Sequence, residues 1–420
     1  MLFWLATIGE PLPTDPGGPR LLRTGMLAEQ LRRRGHEVLW WTSSFDHVRK
    51  TYRAAAPTTL QVDSGYRLVL LHGPGYRRNV SLRRWADHWV IGRQFARWIR
   101  RLPPPDLLLC SLPSVEMSRE SVRYGHERSV PVVLDLRDMW PDVFLDYLPR
   151  GLHPLARAAL APAYHHLREA CRGARALTGI SPDFVKWGQA AGSRPPNSPD
   201  RHFWLAATAA EPDPAAAAAA AARWARDGIV AGQVNPVIAF VGAMSRSFEM
   251  ELVIEAARRL QCTGSPVRFV LCGVGDMLEP WRAQAAGLSN VLFPGWVQAA
   301  EAWTLLRCSL AGIAPYRSRR DFVASVPTKT LEYLSAGLPV LSSLRGAVEQ
   351  LLARTGAGIT YRNGELDQLL AAIGRLVDEP DERRAMARRA RSAYEREFVA
   401  ERVYADMAAY LETLAAPSAR

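Results

Sequence analysis

The chain has 420 residues, of which 48% are hydrophobic and 22% are charged. This length favours about two domains of roughly 200 residues each, and the composition is that of a globular protein, which excludes a largely disordered chain. Lysine plus arginine exceed aspartate plus glutamate by 53 to 41, so the formal net charge is +12. Such a charge favours anionic partners, namely nucleotides, an anionic membrane surface or nucleic acid.

Cysteine usage and the start of the chain bear on the compartment. Five cysteines are scattered without a CxxC pair, which argues against a disulfide framework and a structural zinc site and favours a reducing cytoplasm. The opening MLFWLATIGEPLP lacks the basic start of a signal peptide, and no apolar stretch approaches the roughly 20 residues that span a bilayer. We therefore expect a cytoplasmic protein that is soluble or peripheral on a membrane.

The first half of the chain alternates short apolar runs with helical patterns. MLFWLAT predicts a buried strand, GEPLPTDPGGPR a loop, LLRTGMLAEQLRRRGHEV an amphipathic helix and EVLWWTS the next strand, which together form a βαβ unit. Three more strands are predicted at Tyr66–His72, Asp106–Leu112 and Val130–Leu136. The pattern predicts a Rossmann-like domain over residues 1–205.

The composition changes over residues 206–234, where prolines precede a run of alanines. Polyalanine has high helix propensity but little core-building surface, so a linker or a peripheral helix is predicted. Residues 235–395 then repeat the alternation, with strand patterns VIAFVGA, VRFVLCG, VLFPGWV, LAGIAPY and PVLSS, and residues 396–420 predict a C-terminal helix that packs back toward the first domain. The predicted fold class is α/β, with two Rossmann-like, doubly wound domains facing each other across a cleft.

Glycine-rich turns follow predicted strands in both halves, with Gly17 and Gly18 in the first and Gly273 and Gly275 in the second. Such turns let a backbone approach a pyrophosphate beside a helix N-terminus. Neither turn is a GxGxxG or a GxxxxGK[ST] pattern, so a plain structural turn is an equal alternative for each.

The segment SVPTKTLEYLSAGLPV, residues 325–340, is more specific. Pro327 is tolerated only near a helix start, so Thr328 and Lys329 should lie in the first turn, where unpaired N–H groups and a positive charge favour phosphate. Glu332 follows about one turn later, where a carboxylate can accept hydrogen bonds from a ribose diol. The alternative is an exposed i,i+3 pair of Lys329 and Glu332 on a solvated helix.

This segment resembles the C-terminal signature of retaining GT-B glycosyltransferases of family 4, in the subgroup with the pattern S-x-P-x-K-x-x-E-Y-x-x-A-G-x-P-V, and it matches every defined position. Further resemblance lies in FVGAMSRSFEMELVIEAARRL, FVLCGVGD, NVLFPGWV, GGPRLLRTGMLAEQLRRRGHEV and VPVVLDLRDMWPD. The resemblance covers nearly the whole chain apart from the alanine-rich stretch.

The resemblance implies that a nucleotide sugar binds mainly to the second domain. Its ribose would lie on Glu332 and its pyrophosphate on Arg246 and Lys329, and these two cations would be catalytic because they stabilise the leaving diphosphate. Neither a metal nor another cofactor is expected. The implied donor-binding residues are Gly17, Gly18, Arg246, Gly273, Val297, Thr328, Lys329 and Glu332.

The chain also departs from the family's broader pattern. The position eight residues before Glu332, where a second glutamate would contact the donor sugar, is Ala324. The usual arginine and lysine after the strand VIAFVG correspond to Ala243 and Phe248, which leaves Arg246 as the base of that loop. These departures affect donor-sugar recognition most directly.

Acceptor contacts are expected in the first domain. LDLRDMWPD places Arg137 and Asp138 directly after a buried strand, at the edge where open α/β sheets bind ligands. Asp138 could orient the acceptor hydroxyl or take its proton, whereas an Arg137–Asp138 loop clamp or a helix cap is the alternative. Glu116, beyond another strand end, is a further acceptor candidate, with a stabilising acid in the first turn of a helix as its alternative.

Residues 76–101 carry many arginines interleaved with tryptophans and a phenylalanine, partly on one helical face. This pattern suits an anionic bilayer surface, and a core-packed helix with a solvated basic edge explains it equally well.

We predict a hexosyltransferase that moves a sugar from a nucleotide-diphosphate sugar, UDP-linked in preference to GDP-linked, to a lipid-linked or glycan acceptor at the inner face of the plasma membrane, in polysaccharide or glycoconjugate biosynthesis. The alternatives are a GT-B sugar-nucleotide epimerase, a transferase with a small soluble acceptor, and a non-catalytic transferase partner. Nucleic acid is not expected as a partner because no nucleic-acid module accompanies the basic residues.

Overall fold

A computed structural model describes residues 1–78, 81–195, 198–209, 211–230 and 235–416. Within these ranges the strands, in chain order, are β1 (Leu2–Ala6), β2 (Glu37–Ser43), β3 (Phe45–Asp46), β4 (Thr51–Tyr52), β5 (Thr58–Asp63), β6 (Tyr66–Leu71), β7 (Leu107–Ser111), β8 (Val132–Leu136), β9 (Ala176–Gly179), β10 (Arg201–His202), β11 (Val237–Val241), β12 (Arg268–Cys272), β13 (Val291–Gly295), β14 (Ala311–Ala314), β15 (Val340–Ser342) and β16 (Gly358–Thr360).

The α-helices in the same ranges are α1 (Arg23–Arg33), α2 (Leu82–Ile99), α3 (Val115–Arg128), α4 (His153–Ala159), α5 (Ala161–Gly173), α6 (Pro182–Gly192), α7 (Pro214–Ala225), α8 (Met250–Cys262), α9 (Leu278–Gln284), α10 (Ala299–Arg307), α11 (Arg320–Val323), α12 (Thr328–Ser335), α13 (Ala347–Thr355), α14 (Leu366–Asp378), α15 (Pro380–Glu397) and α16 (Ala400–Ala415). Two short 3-10 helices, Asp142–Tyr147 and Arg150–Leu152, precede α4.

The chain divides into two compact units. Unit 1 comprises Met1–Trp204 together with Ala400–Arg420, and unit 2 comprises Leu205–Val399. The sequence therefore leaves unit 1 after Trp204 and returns to it at Ala400, so that α16 completes unit 1 by packing on α1.

Unit 1 is built on an eight-stranded sheet with the order β10-β9-β8-β7-β1-β2-β6-β5. All neighbouring strands pair in parallel except the edge strand β5, which is antiparallel to β6. Buried parallel strands read as continuous apolar runs, and β7, LLLCS, is buried at every position. Large aromatic side chains fill the core around β1, where the rings of Trp4 and Trp41 meet edge to face at 5.3 Å.

Unit 2 contains a six-stranded, wholly parallel sheet with the order β13-β12-β11-β14-β15-β16. The order reverses direction beside β11, which lies between β12 and β14. This is the topological switch point at which open α/β sheets form a crevice beyond the carboxyl ends of their strands.

The fold-class prediction of two Rossmann-like α/β domains is confirmed. Every strand predicted from an apolar run contains an observed strand. The alanine run forms α7, which packs on α10 within unit 2, and the Nε1–H group of the fully buried Trp224 donates to the Glu301 carbonyl at 2.8 Å. The interval 206–234 is therefore not a bare linker, although its residues 210 and 231–234 lie outside the described part of the chain.

None of the helices in the described ranges combines the length and the apolar character that crossing a membrane requires.

Candidate functional site

Glycines line the carboxyl edge of the unit 2 sheet, where β11, β12 and β13 end side by side. The Gly242 N–H donates to the Cys272 carbonyl at 3.0 Å, and the Gly273 N–H donates to the Gly295 carbonyl at 2.7 Å. A Cβ atom on Gly273 would lie 1.8 Å from the Gly242 carbonyl oxygen. Gly273 is buried and permits this close backbone approach, so the structure gives it a packing function at the edge.

Lys329 occupies the space that Gly242 leaves open. Its Nζ donates to the Val241 carbonyl at 2.5 Å and lies 4.6 Å from the centre of the Phe240 ring. A Cβ atom on Gly242 would lie 1.2 Å from that Nζ. The ammonium group therefore sits over the end of β11 instead of extending from a solvated helix face, and only glycine at position 242 allows it.

Enclosure lowers the pKa of the Lys329 ammonium to about 8, and the nearby Glu332 carboxylate opposes this shift. A cation that has lost hydration through burial gains more from an anionic partner than a fully hydrated cation would. The site is therefore ready to pair Lys329 with a phosphate group.

Helix α12 carries three residues of the predicted donor site, namely Thr328, Lys329 and Glu332. It starts directly after Pro327, so the Thr328 and Lys329 amides belong to its first turn. Tyr333 anchors the helix, since its hydroxyl donates to the Ile313 carbonyl at 3.0 Å and its ring covers Gly312 on β14. Glu332 is half-buried one turn after the start of the helix.

The loop after β11 presents Arg246. Its neighbours are anchored on two sides, because the Met244 N–H donates to the Val274 carbonyl at 2.9 Å and the Glu249 N–H donates to the Pro315 carbonyl at 2.7 Å. Arg246 itself is exposed, and no hydrogen-bond or ion-pair partner for it exists among the described residues. An anchored loop thus displays an un-neutralised guanidinium near the carboxyl edge of β11.

Two further positions lie after β13 and before α12. Val297 is buried, whereas the adjacent Trp296, which the sequence reasoning did not single out, is 70% exposed. Ala324 is buried at the end of α11 and supplies no carboxylate. Within the described ranges, no group of three or more His, Cys, Asp and Glu side chains is arranged to hold a metal ion.

Unit 1 has its own crevice at the carboxyl edge of its sheet. A pocket of about 190 Å³ lies beyond the ends of β1, β2, β7 and β8, and its lining includes both Arg137 and Asp138. Glu116 does not line this pocket. It lies in the first turn of α3 against Gly92 of α2, where burial raises its pKa.

Arg137 is also part of a buried ionic network beneath the pocket. Asp135 accepts two hydrogen bonds from Arg23, both at 2.9 Å, and one from Arg137 at 2.5 Å. Arg137 additionally pairs closely with Glu10, which accepts from the Thr24 hydroxyl at 2.8 Å. Burial opposes ionisation of Asp135, yet the two arginines hold its pKa well below the usual range. Arg137 is thus held by Asp135 and Glu10, whereas the clamp predicted as its alternative paired it with Asp138.

Gly17 and Gly18 are not among the residues that line the unit 1 pocket. Strand β1 ends at Ala6, so residues 7–16 separate these glycines from the strand that they were expected to follow directly. Both are exposed, and no heavy atom would lie within 4 Å of a Cβ atom built on either of them. Their positive φ angles, 89° and 61°, account for glycine at these positions as a turn requirement.

Comparisons with known proteins agree with this architecture. Residues 235–379 match the family described as glycosyl transferases group 1. The chain is also 24% identical over 185 residues to WcaL of Escherichia coli (strain K12), described as a colanic acid biosynthesis glycosyltransferase; the match covers 41% of this chain and 44% of that relative's length.

Solved structures resemble nearly the whole chain. Sucrose-phosphate synthase from Thermosynechococcus elongatus has a TM-score of 0.74 at 14% identity, with 98% of each chain covered. Anabaena HepE in complex with UDP-glucose has a TM-score of 0.66 at 14% identity, covering 98% of this chain and all of that one. The fold is therefore of the GT-B class, and unit 2 carries the segment that matches the glycosyl transferases group 1 family.

Proposed function

We propose that this protein is a retaining glycosyltransferase that transfers a sugar from a nucleotide-diphosphate sugar to a lipid-linked or glycan acceptor. The observation that carries the proposal is the position of Lys329, whose ammonium group lies at the first turn of α12 and over the end of β11. The match of this unit to glycosyl transferases group 1 supports the reaction class.

In this proposal the donor diphosphate lies against the start of α12. Lys329, the first-turn amides and the exposed Arg246 supply positive charge where the leaving diphosphate develops negative charge. Glu332, one turn later, accepts hydrogen bonds from the ribose, and the base lies near Val297. UDP is favoured over GDP because HepE, which has a similar fold, binds UDP-glucose.

We propose that transfer requires no metal, since Lys329 and Arg246 supply the charge that a divalent cation would otherwise provide. Unchanged turnover after chelation would support this, and restoration by Mg²⁺ of activity lost on chelation would contradict it. Retention is a separate proposal, tested by determining the anomeric configuration of the product by NMR.

The donor site is tested by calorimetric titration of UDP and GDP into the full chain and into Glu332→Ala. Loss of one charged hydrogen bond costs roughly 1.5–3 kcal/mol, which is about tenfold or more in affinity. The matched control is Glu279→Ala, which removes an exposed carboxylate of the same unit that pairs with Arg282 one turn away. Equal binding by wild type and Glu332→Ala would remove Glu332 from the donor site.

One observation favours a second candidate, a non-catalytic partner of another transferase. Ala324 supplies no carboxylate to a donor sugar. A chain that binds UDP but neither hydrolyses nor transfers from any UDP-sugar in the presence of membrane extract would support this candidate, whereas turnover by the purified chain would exclude it.

We also propose peripheral association with an anionic membrane. Leu82, Trp85 and Trp89 recur at i, i+3 and i+7 on α2, and Leu82 and Trp89 are 89% and 53% exposed. Trp85 contacts the Phe144 ring at 5.4 Å, next to a further run of exposed apolar side chains. That run comprises Tyr147, Leu148, Leu152 and Leu155. The same helices carry exposed arginines, among them Arg83 on α2 and Arg157 on α4, and apolar and basic side chains together suit anionic lipid headgroups.

Vesicle sedimentation tests this surface. The chain should sediment with phosphatidylglycerol vesicles and not with phosphatidylcholine vesicles, and the double variant Leu82→Ser, Trp89→Ser should stay in the supernatant. Val48→Ser is the matched control, because Val48 is 74% exposed in the same unit but lies outside this surface. Equal sedimentation of the double variant and the control would refute the assignment.

A further inference from the structure

The pocket of unit 1 is too small for a whole substrate. Its volume of about 190 Å³ falls below the roughly 300–1,000 Å³ of pockets that enclose entire small ligands. It lies beyond the ends of four adjacent strands, so its walls are set by the sheet. A pocket of this size takes one terminal group of a larger molecule.

Two buried polar atoms in the lining lack partners within the described part of the chain. The Nη2 of Arg137 donates to nothing, although its other guanidinium nitrogens pair with Asp135 and Glu10. The Nδ1 of His88 is likewise unbonded, and His88 is only 1% exposed. Buried polar groups are usually hydrogen-bonded, so two unsatisfied atoms on residues that line one pocket leave hydrogen-bonding capacity that a ligand could use.

The surroundings of His88 hold its ring in place. It stacks on the Trp140 ring at 5.1 Å with an interplanar angle of 14°, and the Arg84 guanidinium lies 4.7 Å from the centre of that same ring. Burial and then Arg84 lower the pKa of His88 to about 3, so the imidazole is neutral at physiological pH. A neutral, fixed imidazole can donate to or accept from a hydroxyl group.

The charges in the lining do not suit an anion. Three carboxylates, Glu10, Asp87 and Asp138, face two guanidinium groups, Arg84 and Arg137. The second histidine of the lining, His47, is also neutral, because burial and nearby cations lower its pKa to about 4. A phosphate group would meet more negative than positive side chains here, whereas the hydroxyl groups of a sugar can both donate to carboxylates and accept from guanidinium groups.

We propose that this pocket holds a neutral sugar ring at the end of the acceptor, with His88 and Arg137 bonding its hydroxyl groups. The acceptor is then a sugar-bearing molecule that the enzyme extends, not a bare lipid phosphate onto which it places a first sugar. This inference rests on the proposed function, because it names the acceptor class for that reaction.

Saturation-transfer NMR on the full chain tests the pocket directly. The probes are a panel of neutral methyl hexosides and N-acetylhexosaminides, with inorganic phosphate as the competing anion. At least one glycoside should receive saturation from the protein, and excess phosphate should not displace it. Absence of a signal from the whole panel, or displacement by phosphate, would overturn the proposal.

Two variants sharpen the assignment. His88→Phe keeps the aromatic stack on Trp140 and removes both ring nitrogens, so glycoside affinity should fall about two- to tenfold. Asp87→Asn retains an oxygen for the 2.8 Å hydrogen bond from the Gly75 N–H while removing one negative charge, so phosphate should begin to compete. Unchanged glycoside affinity in His88→Phe would overturn the role of the histidine, and Asp87→Asn tests the charge argument even if His88→Phe fails to fold.

Titration of UDP in the same samples separates the two proposals. The predicted donor residues near α12 belong to unit 2, so the unit 1 variants should bind UDP as wild type does. Glycoside binding without UDP binding would support the sugar pocket of unit 1 and contradict the proposed donor site of unit 2. UDP binding without glycoside binding would support the donor site and contradict the sugar pocket.

Discussion

The carboxyl edges of the two sheets differ in how their charges are satisfied. In unit 1, Arg23, Asp135, Arg137 and Glu10 neutralise one another within a buried network. In unit 2, Lys329 is bonded to a backbone carbonyl, and Arg246 has no ion-pair partner among the described residues. The charges of the unit 1 network are thus paired with one another, whereas the guanidinium of Arg246 in unit 2 is not paired within the described ranges, and the neutral and anionic ligands proposed above follow this difference.

The unit 1 network can be broken at its centre. Asp135→Asn leaves the fully buried Arg23 without its ionic partner, and we expect a loss of about 3–5 kcal/mol in the free energy of unfolding. Urea denaturation measures this loss. Asp63→Asn is the control, since it removes a half-exposed partner of Arg32 in the same unit and should cost less than about 1 kcal/mol. Similar losses in the two variants would mean that the buried network contributes no more to the free energy of unfolding than an exposed ion pair does.

The positive charge at the carboxyl edge of the unit 2 sheet can be removed by substituting Lys329. Lys329→Met should lower the turnover number for the UDP-sugar by about 10²–10³-fold, because a charge directed at the leaving diphosphate is lost while the aliphatic contacts remain. Steady-state kinetics on the purified chain measures the effect. Lys186→Met, an exposed lysine of α6, should be neutral. A fall of less than about threefold in Lys329→Met would exclude a role in leaving-group stabilisation.

A substitution of Gly242, which leaves room for the Lys329 ammonium group, provides a test with a smaller expected effect. Gly242→Ala places a methyl group where the Lys329 Nζ now lies and strains a residue whose φ is 155°. Displacement of the lysine should weaken UDP binding about tenfold, and the strained backbone should cost about 1–3 kcal/mol of stability. Gly264→Ala is the comparison, because it has a positive φ but open space around its Cβ. If both variants bind UDP alike, the fit between Gly242 and Lys329 does not matter for the donor.

A dependence on pH of similar size in UDP binding, without any substitution, is also expected. The pKa of Lys329 is lowered to about 8, so the ammonium group is lost as the pH rises through that value and UDP should bind about tenfold more weakly at pH 9 than at pH 7. For stability the sign is opposite: between about pH 8 and its ordinary pKa the unfolded state binds the proton and the folded state does not, so this group's contribution to stability rises with pH. Calorimetry at both pH values, with Lys329→Met as a pH-insensitive reference, measures the binding effect.

Much of the fold could be predicted from the sequence because buried parallel strands appear as short apolar runs. All strands predicted on that basis contain observed strands, whereas β3, β4, β9, β10 and β16, each two to four residues long, were not predicted. The edge strand β5 alternates half-buried and exposed positions, and its sequence TTLQVD has no continuous apolar run. Strands without a continuous apolar run were therefore the ones that the sequence did not reveal.

The contacts of the candidate site were harder to predict from the sequence because they join residues that are far apart along the chain. The motif around Pro327 located Lys329, but nothing local shows that Gly242 clears the space for it. Arg23 and Asp135 are 112 residues apart, so their ion pair has no sequence signature. The pocket in unit 1 likewise combines residues from loops after β1, β2 and β8 with others from α2, of which only the pair after β8 was singled out.

The return of the chain to unit 1 has a consequence for synthesis on the ribosome. Helix α16 buries Tyr404, Met407 and Leu411, and Glu412 pairs with Arg34 of unit 1 at 2.6 Å. The Arg23 guanidinium at the centre of the unit 1 network lies 5.8 Å from the centre of the Tyr404 ring. These contacts cannot form until all of unit 2 has been translated. Unit 1 therefore begins first but finishes last, and the nascent chain must keep part of its apolar surface uncovered while unit 2 emerges and folds.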